Sequence, residues 1–173
     1  MRSYFVEGLE NKIKYISFVR VMVQMSDAFS FVYFKYNERR TLRVTVKKIK
    51  QKLQPYKLYS KKTNILPSMF TLNESGHVYN LVAYKSVPEV VDILVLVDSL
   101  WDWDYPNYPM DLCFFKNGYA HFISSAHEEY SILYTDDKNL VQLLREHDIK
   151  LITYKKSNRQ IIPRLEKPET VFM

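Results

Sequence analysis

The chain has 173 residues, 47% hydrophobic and 15% aromatic, with a formal net charge of +6, enough for one well-buried core and short for two. Its only glycines are Gly8, Gly76 and Gly118, which excludes the glycine loops of P-loop and dinucleotide-binding enzymes. A single cysteine, Cys113, permits no internal disulfide and suits a reducing compartment.

At the N-terminus, MRSYFVEGLENK places Glu7 and Glu10 where a secretory signal needs an apolar core. No apolar run approaches the roughly 18 residues of a spanning helix. A cytoplasmic protein with no membrane contact is expected. The run from Ile13 to Met25 is dense in β-branched and aromatic residues and reads as a strand antiparallel to Ala28–Tyr36. A buried helix over Lys12–Gln24 is the alternative.

From Thr41 to Leu53 the pattern fits a strand passing into a short helix. Leu42, Val46, Ile49 and Leu53 lie on its apolar side, the lysines point away, and Pro55 ends it. Tyr56 to Gly76 has no clear period and reads as a long connection. His77–Lys85 reads as a strand. Ser86 and Glu89 then match a capping box with Pro88 in the first turn, which predicts a helix to about Trp101, with a strand over Val90–Val97 as the alternative.

Asn117-Gly118 predicts a two-residue type I′ hairpin. Its register would oppose Lys116 to Tyr119, Phe115 to Ala120, Phe114 to His121, Cys113 to Phe122 and Leu112 to Ile123. Both faces are then apolar, so these strands belong inside the sheet. Cys113 and His121 fall on opposite faces, which removes a nucleophile–base pair. Glu129–Tyr134 adds a third strand. Asp136 and Asp137 open a helix to about His147, and Ile149–Tyr154 forms a strand expected to run parallel to Glu129–Tyr134 after a crossover.

Charge is segregated along the chain. Lys35, Arg39, Arg40, Arg43, Lys47, Lys48, Lys50, Lys52, Lys57, Lys61 and Lys62 face only Glu38, whereas Ser86 to Phe115 holds Glu89, Asp92, Asp98, Asp102, Asp104 and Asp111 without a Lys or Arg. The basic block, interleaved with Tyr36, Tyr56 and Tyr59, could track a phosphate backbone. Arg39, Arg40, Arg43, Lys47, Lys48, Lys50 and Lys52 are its candidate contacts, and a solvated lysine face is the ordinary alternative. In the acidic segment WDWDYPNYPMD, alternation would present Trp101, Trp103 and Tyr105 on one side and Asp102 and Asp104 on the other. With Tyr108 and Asp111 these are the candidate contacts for a basic partner. The ordinary alternative is aromatic core beneath a decorated loop.

His77, His121, His127 and His147 show no metal-ligand spacing, and no metal or cofactor is expected. Ser124-Ser125 near His127 is proximity in sequence only. Asp148-Ile149-Lys150 has the D-x-K spacing of metal-dependent nucleases, a very weak pattern that also needs Asp111 or Asp136 close by.

The expected fold is α+β: a mixed, mostly antiparallel sheet with a central β-hairpin meander and two or three packed helices. It forms a single domain over 1–154, followed by a basic, loosely held tail over 155–173. The expected function is a non-enzymatic interaction protein, an inhibitor or neutraliser that binds a basic protein partner through the acidic aromatic surface. A nucleic-acid-binding protein is the alternative and a metal-dependent nuclease a distant third. Self-association through opposite patches also fits the composition, and the oligomeric state is open.

Overall fold

The computed structural model describes residues 1–34, 44–64, 66 and 78–154. Among these residues there are an eight-stranded sheet and four α-helices. The strands are β1 Arg2–Glu7, β2 Ala28–Phe34, β3 Lys57–Thr63, β4 Tyr79–Lys85, β5 Met110–Lys116, β6 Tyr119–Ser125, β7 Tyr130–Thr135 and β8 Lys150–Thr153. The helices are α1 Lys12–Met25, α2 Val44–Leu53, α3 Val91–Leu94 and α4 Lys138–Glu146. The strand order is β3-β4-β2-β5-β6-β7-β1-β8, and every neighbouring pair is antiparallel. The α+β architecture with its central β5-β6-β7 meander is the expected one.

All four helices contribute to one core on a single face of the sheet. There Phe18 of α1 meets Phe114 and Phe122 at ring-centroid distances of 6.4 and 4.7 Å. On the opposite face a second cluster buries Cys113, Phe115, Ala120, Ile123, Ile132 and Tyr134. Burying a Phe or Leu side chain is worth about 1.5–3 kcal/mol, so the larger cluster dominates the stability of the fold.

The segment 13–25 is the largest correction, because it forms helix α1 and not a strand. Asn11 Oδ1 accepts the amides of Ile13 and Lys14 at 3.0 and 3.2 Å, and Tyr15, Phe18, Val19 and Met22 bury a stripe at helical spacing. Val21 and Val23 are buried too, which blurs the period. Packing overrides β propensity here.

The predicted helix from Ser86 to Trp101 is broken into a 3₁₀ turn over Pro88–Val90, the single turn α3, and a 3₁₀ turn over Leu100–Asp102. Ser86 does not cap it, since its hydroxyl donates to the Val23 carbonyl at 3.0 Å. A capping box does form, at Ser99 and Asp102.

Within the stretch read as a long connection, Lys57–Thr63 is strand β3, paired on one side only, at the sheet edge, among the described residues. Residues 67–77 lie outside the described residues. So do the strand half of the 41–53 reading over 41–43 and the 155–173 tail.

Two strand relations also differ from expectation. β8 runs in the direction of β7 without being its neighbour, because β1, which no reading anticipated, lies between them and is antiparallel to both. The hairpin turn itself is as expected, with φ of 52° at Asn117 and 79° at Gly118. Lys116 opposes Tyr119 and Phe115 opposes Ala120, but a bulge then sets Phe114 against Phe122 and leaves His121 unopposed. The bulge moves Phe122 to the helical face with Phe114 and Leu112, and Ile123 to the other. Gly118→Ala should cost about 1–2 kcal/mol, because a Cβ penalises left-handed backbone. A lower urea midpoint with unchanged slope is the expected reading.

Candidate functional site

The acidic aromatic segment folds around Trp103 and not as an alternating strand. Trp103 is 0% exposed; its ring lies 4.5 Å from that of Phe31 and 5.5 Å from that of Tyr108. Its indole Nε1 donates to the Tyr15 hydroxyl at 2.6 Å, and that hydroxyl donates to the Leu94 carbonyl at 2.7 Å. Every polar atom of this buried chain has a partner. Burial pushes the Tyr15 pKa far above its ordinary value, so the phenol stays protonated.

Around that anchor, Trp101 is half-buried against the core. Asp102 Oδ2 accepts the amides of Asp98 and Ser99 at 3.0 and 2.9 Å. Asp111 is 3% exposed with φ of 55°, and its Oδ1 accepts the Ala126 amide at 3.0 Å. Trp103, Asp102 and Asp111 thus shape the segment from within. Asp104 Oδ1 takes the Tyr105 amide at 2.8 Å, and Tyr105 is 38% exposed.

Asp104, Tyr105 and Asp111 line one side of an open cleft of about 360 Å³, and Ser125 at the end of β6, with His127 and Glu128 from the β6–β7 loop, lines the other. Tyr79 and Met110 contribute apolar wall. The meander creates this meeting, since β6 runs antiparallel to β5 and its end returns to the start of β5. His127 Nδ1 lies 3.9 Å from Asp104 Oδ2. Glu128 is exposed and has no ion pair among the described residues. No Lys or Arg lines the cleft among the described residues. His127 and Glu128 were missing from the candidate set, although the hairpin register already brings the loop after β6 back to Asp111.

The basic block occupies another region. Lys47, Lys48 and Lys52 project from α2 into solvent, while Lys50 is half-buried with its ammonium 5.5 Å from the Tyr33 ring centroid. β3 continues the series with Lys57, Lys61 and Lys62. Lys47, Lys48, Lys52, Lys57 and Lys62 form no ion pair among the described residues. α2 packs against α3, where Asp92 is exposed, with Glu89 exposed in the 3₁₀ turn just before it, yet no ion pair joins α2 to either carboxylate among the described residues. Tyr56 packs on the main core, and Arg39, Arg40, Arg43 and Tyr36 lie outside the described residues.

Other reactive groups are held in place by the fold. Ser26 Oγ is 2.5 Å from the Met22 carbonyl and 2.7 Å from His121 Nε2. Its single proton goes to the carbonyl, which only accepts, so His121 donates Nε2–H to Ser26 and cannot take its proton. Burial, with Lys116 adding, lowers the His121 pKa to about 4. Cys113 is fully buried, and desolvation raises its thiol far above the ordinary range. Ser124 Oγ donates to the Leu112 carbonyl at 2.8 Å.

In the D-x-K stretch, Asp148 pairs with Lys14 at 2.6 Å and Lys150 with Glu7 at 2.7 Å. Asp136 meets the N-terminal amine at 3.4 Å. Among the described residues no group of three or more His, Cys, Asp or Glu is disposed to hold a metal ion, and no helix is long and apolar enough to cross a membrane. No family model, curated protein or solved structure matches the chain.

Proposed function

We propose that the protein is a non-enzymatic interaction protein whose acidic aromatic cleft accepts a basic side chain of a protein partner, as an inhibitor or neutraliser would. The observation that carries this reading is the cleft's composition: the carboxylates of Asp104, Asp111 and Glu128 beside Tyr105, Tyr79 and Met110, with no lysine or arginine lining it among the described residues. A Lys or Arg stem can lie along the ring and thioether while its charge meets carboxylate, and partly desolvated pairs of this kind set both encounter rate and specificity. A cytoplasmic location goes with the reading, supported by the one buried cysteine.

The test is calorimetric titration with a panel of arginine- and lysine-bearing peptides. One or more should bind the native chain, and Asp104→Asn/Glu128→Gln should weaken that binding about tenfold, the scale of a charge-assisted pair. Failure of every peptide, or equal binding by the double variant, discards the cleft. Lys47, Lys48, Lys52, Lys57 and Lys62, which form no ion pair among the described residues, favour a second reading, a nucleic-acid backbone partner. In the same titration, an oligonucleotide that binds with a steep salt slope, lost in Lys47→Gln/Lys48→Gln/Lys52→Gln, would replace the first reading.

A further inference from the structure

A larger cavity, about 720 Å³, lies far from the basic α2 block in the strand order, between α4 and the β7-β1-β8 end of the sheet. Arg2 is opposed to Thr135 and Tyr4 to Thr153, so these four side chains share one sheet face. That face is the helical one, since Tyr4 belongs to the main core. From α4, Lys138, Val141, Gln142, Arg145 and Glu146 line the opposite wall. They recur at helical spacing and form one stripe, separate from the Leu140 and Leu144 that bury in the core.

The polar accounting of this cavity is uneven. Its acids are occupied: Asp136 accepts the Arg2 amide at 3.0 Å and meets the N-terminal amine, and Glu146 accepts Gln142 Nε2 at 2.8 Å. Its cations are not. The side chains of Arg2, Lys138 and Arg145 have no ion pair or hydrogen bond among the described residues. Tyr4 lines the cavity, and its hydroxyl, which is open to solvent, has no hydrogen-bond partner among the described residues.

We infer that the cavity between α4 and β1 binds a small phosphate-bearing molecule, with Arg2, Arg145 and Lys138 on the phosphate and the Tyr4 hydroxyl donating to it. Guanidinium forks match phosphate oxygens in pairs, and lysine adds a point charge. The volume falls in the range of small-molecule sites, and Val141 offers the remainder of the ligand an apolar rest. This site is independent of the acidic cleft.

The probe is inorganic pyrophosphate, titrated at constant ionic strength while the melting temperature of the whole chain is followed, with chloride as control. Pyrophosphate should raise the midpoint saturably. Arg145→Gln, an exposed position, should weaken the apparent affinity about tenfold, and Tyr4→Phe about threefold. Lys47→Gln/Lys48→Gln/Lys52→Gln and Asp104→Asn/Glu128→Gln should leave it unchanged, which separates this site from the two surfaces above. No saturable shift would overturn the inference. So would a shift that Arg145→Gln leaves intact, since that is general screening of a basic chain.

Discussion

Trp103→Ala is expected to destabilise the protein by about 3–5 kcal/mol, the range for a fully buried aromatic truncated to alanine. The indole fills the space between Phe31, Tyr108 and Tyr15, and helix α1 and the acidic segment meet across it. Its removal opens a cavity that neighbours on separate elements cannot close together. Tyr15→Phe isolates the polar part of the same contact. It leaves the Trp103 Nε1 and the Leu94 carbonyl buried without their shared partner, at a cost of about 1–3 kcal/mol for each group so stranded. Urea unfolding followed by far-ultraviolet dichroism reads both variants on one scale. A Trp103→Ala protein within 1 kcal/mol of the native chain would show the residue to be peripheral. Because Trp103 lies inside, its loss reports on the scaffold, and Asp104 and Glu128 are the positions that interrogate the cleft.

Acid should weaken the fold through His121, and the direction follows from where the proton binds. In the unfolded chain the imidazole titrates near 6.5, while in the native protein burial and Lys116, opposed by Asp27, lower its pKa to about 4. Between those values the unfolded state holds the extra proton, so stability falls as pH drops from about 6.5 to 4 and is fully present above that window. The contribution at stake is about 3 kcal/mol. His121→Gln keeps a donor for Ser26 and has no proton to gain, so its urea midpoint should lose that component between pH 7.5 and 4.5. Parallel pH profiles for the two proteins would assign acid sensitivity to the carboxylates instead.

Sequence legibility followed the strength of local signals. Asn117-Gly118 fixed a turn, and the Asp137 cap with Leu140 and Leu144 fixed α4, because each lies in a few adjacent residues. α1 was legible only through Asn11 and the Tyr15, Phe18, Val19, Met22 stripe, which a run of β-branched residues obscured. β3 escaped notice because an edge strand guards itself with lysine and buries little, so KLYSKKT carries no apolar alternation. The bulge opposite Phe114 has no glycine to announce it, yet it changes the face of Phe122 and Ile123. In the acidic segment the composition was visible, but the inward turn of Trp103 depended on Tyr15, which is 88 residues away in the chain.

The place of β1 bears on how the chain is made. Its partners are β7 and β8, and the Ser131 hydroxyl reaches the Val6 carbonyl across a separation of 125 residues. During synthesis at about 5–20 residues per second, the first strand therefore waits on the order of ten seconds for its neighbours. Both its backbone edges stay open in that interval, and pairing this distant is slow to form because loop closure comes before any contact rewards it. Glu7 and Arg2 at its ends supply the charge that discourages premature pairing with other nascent chains.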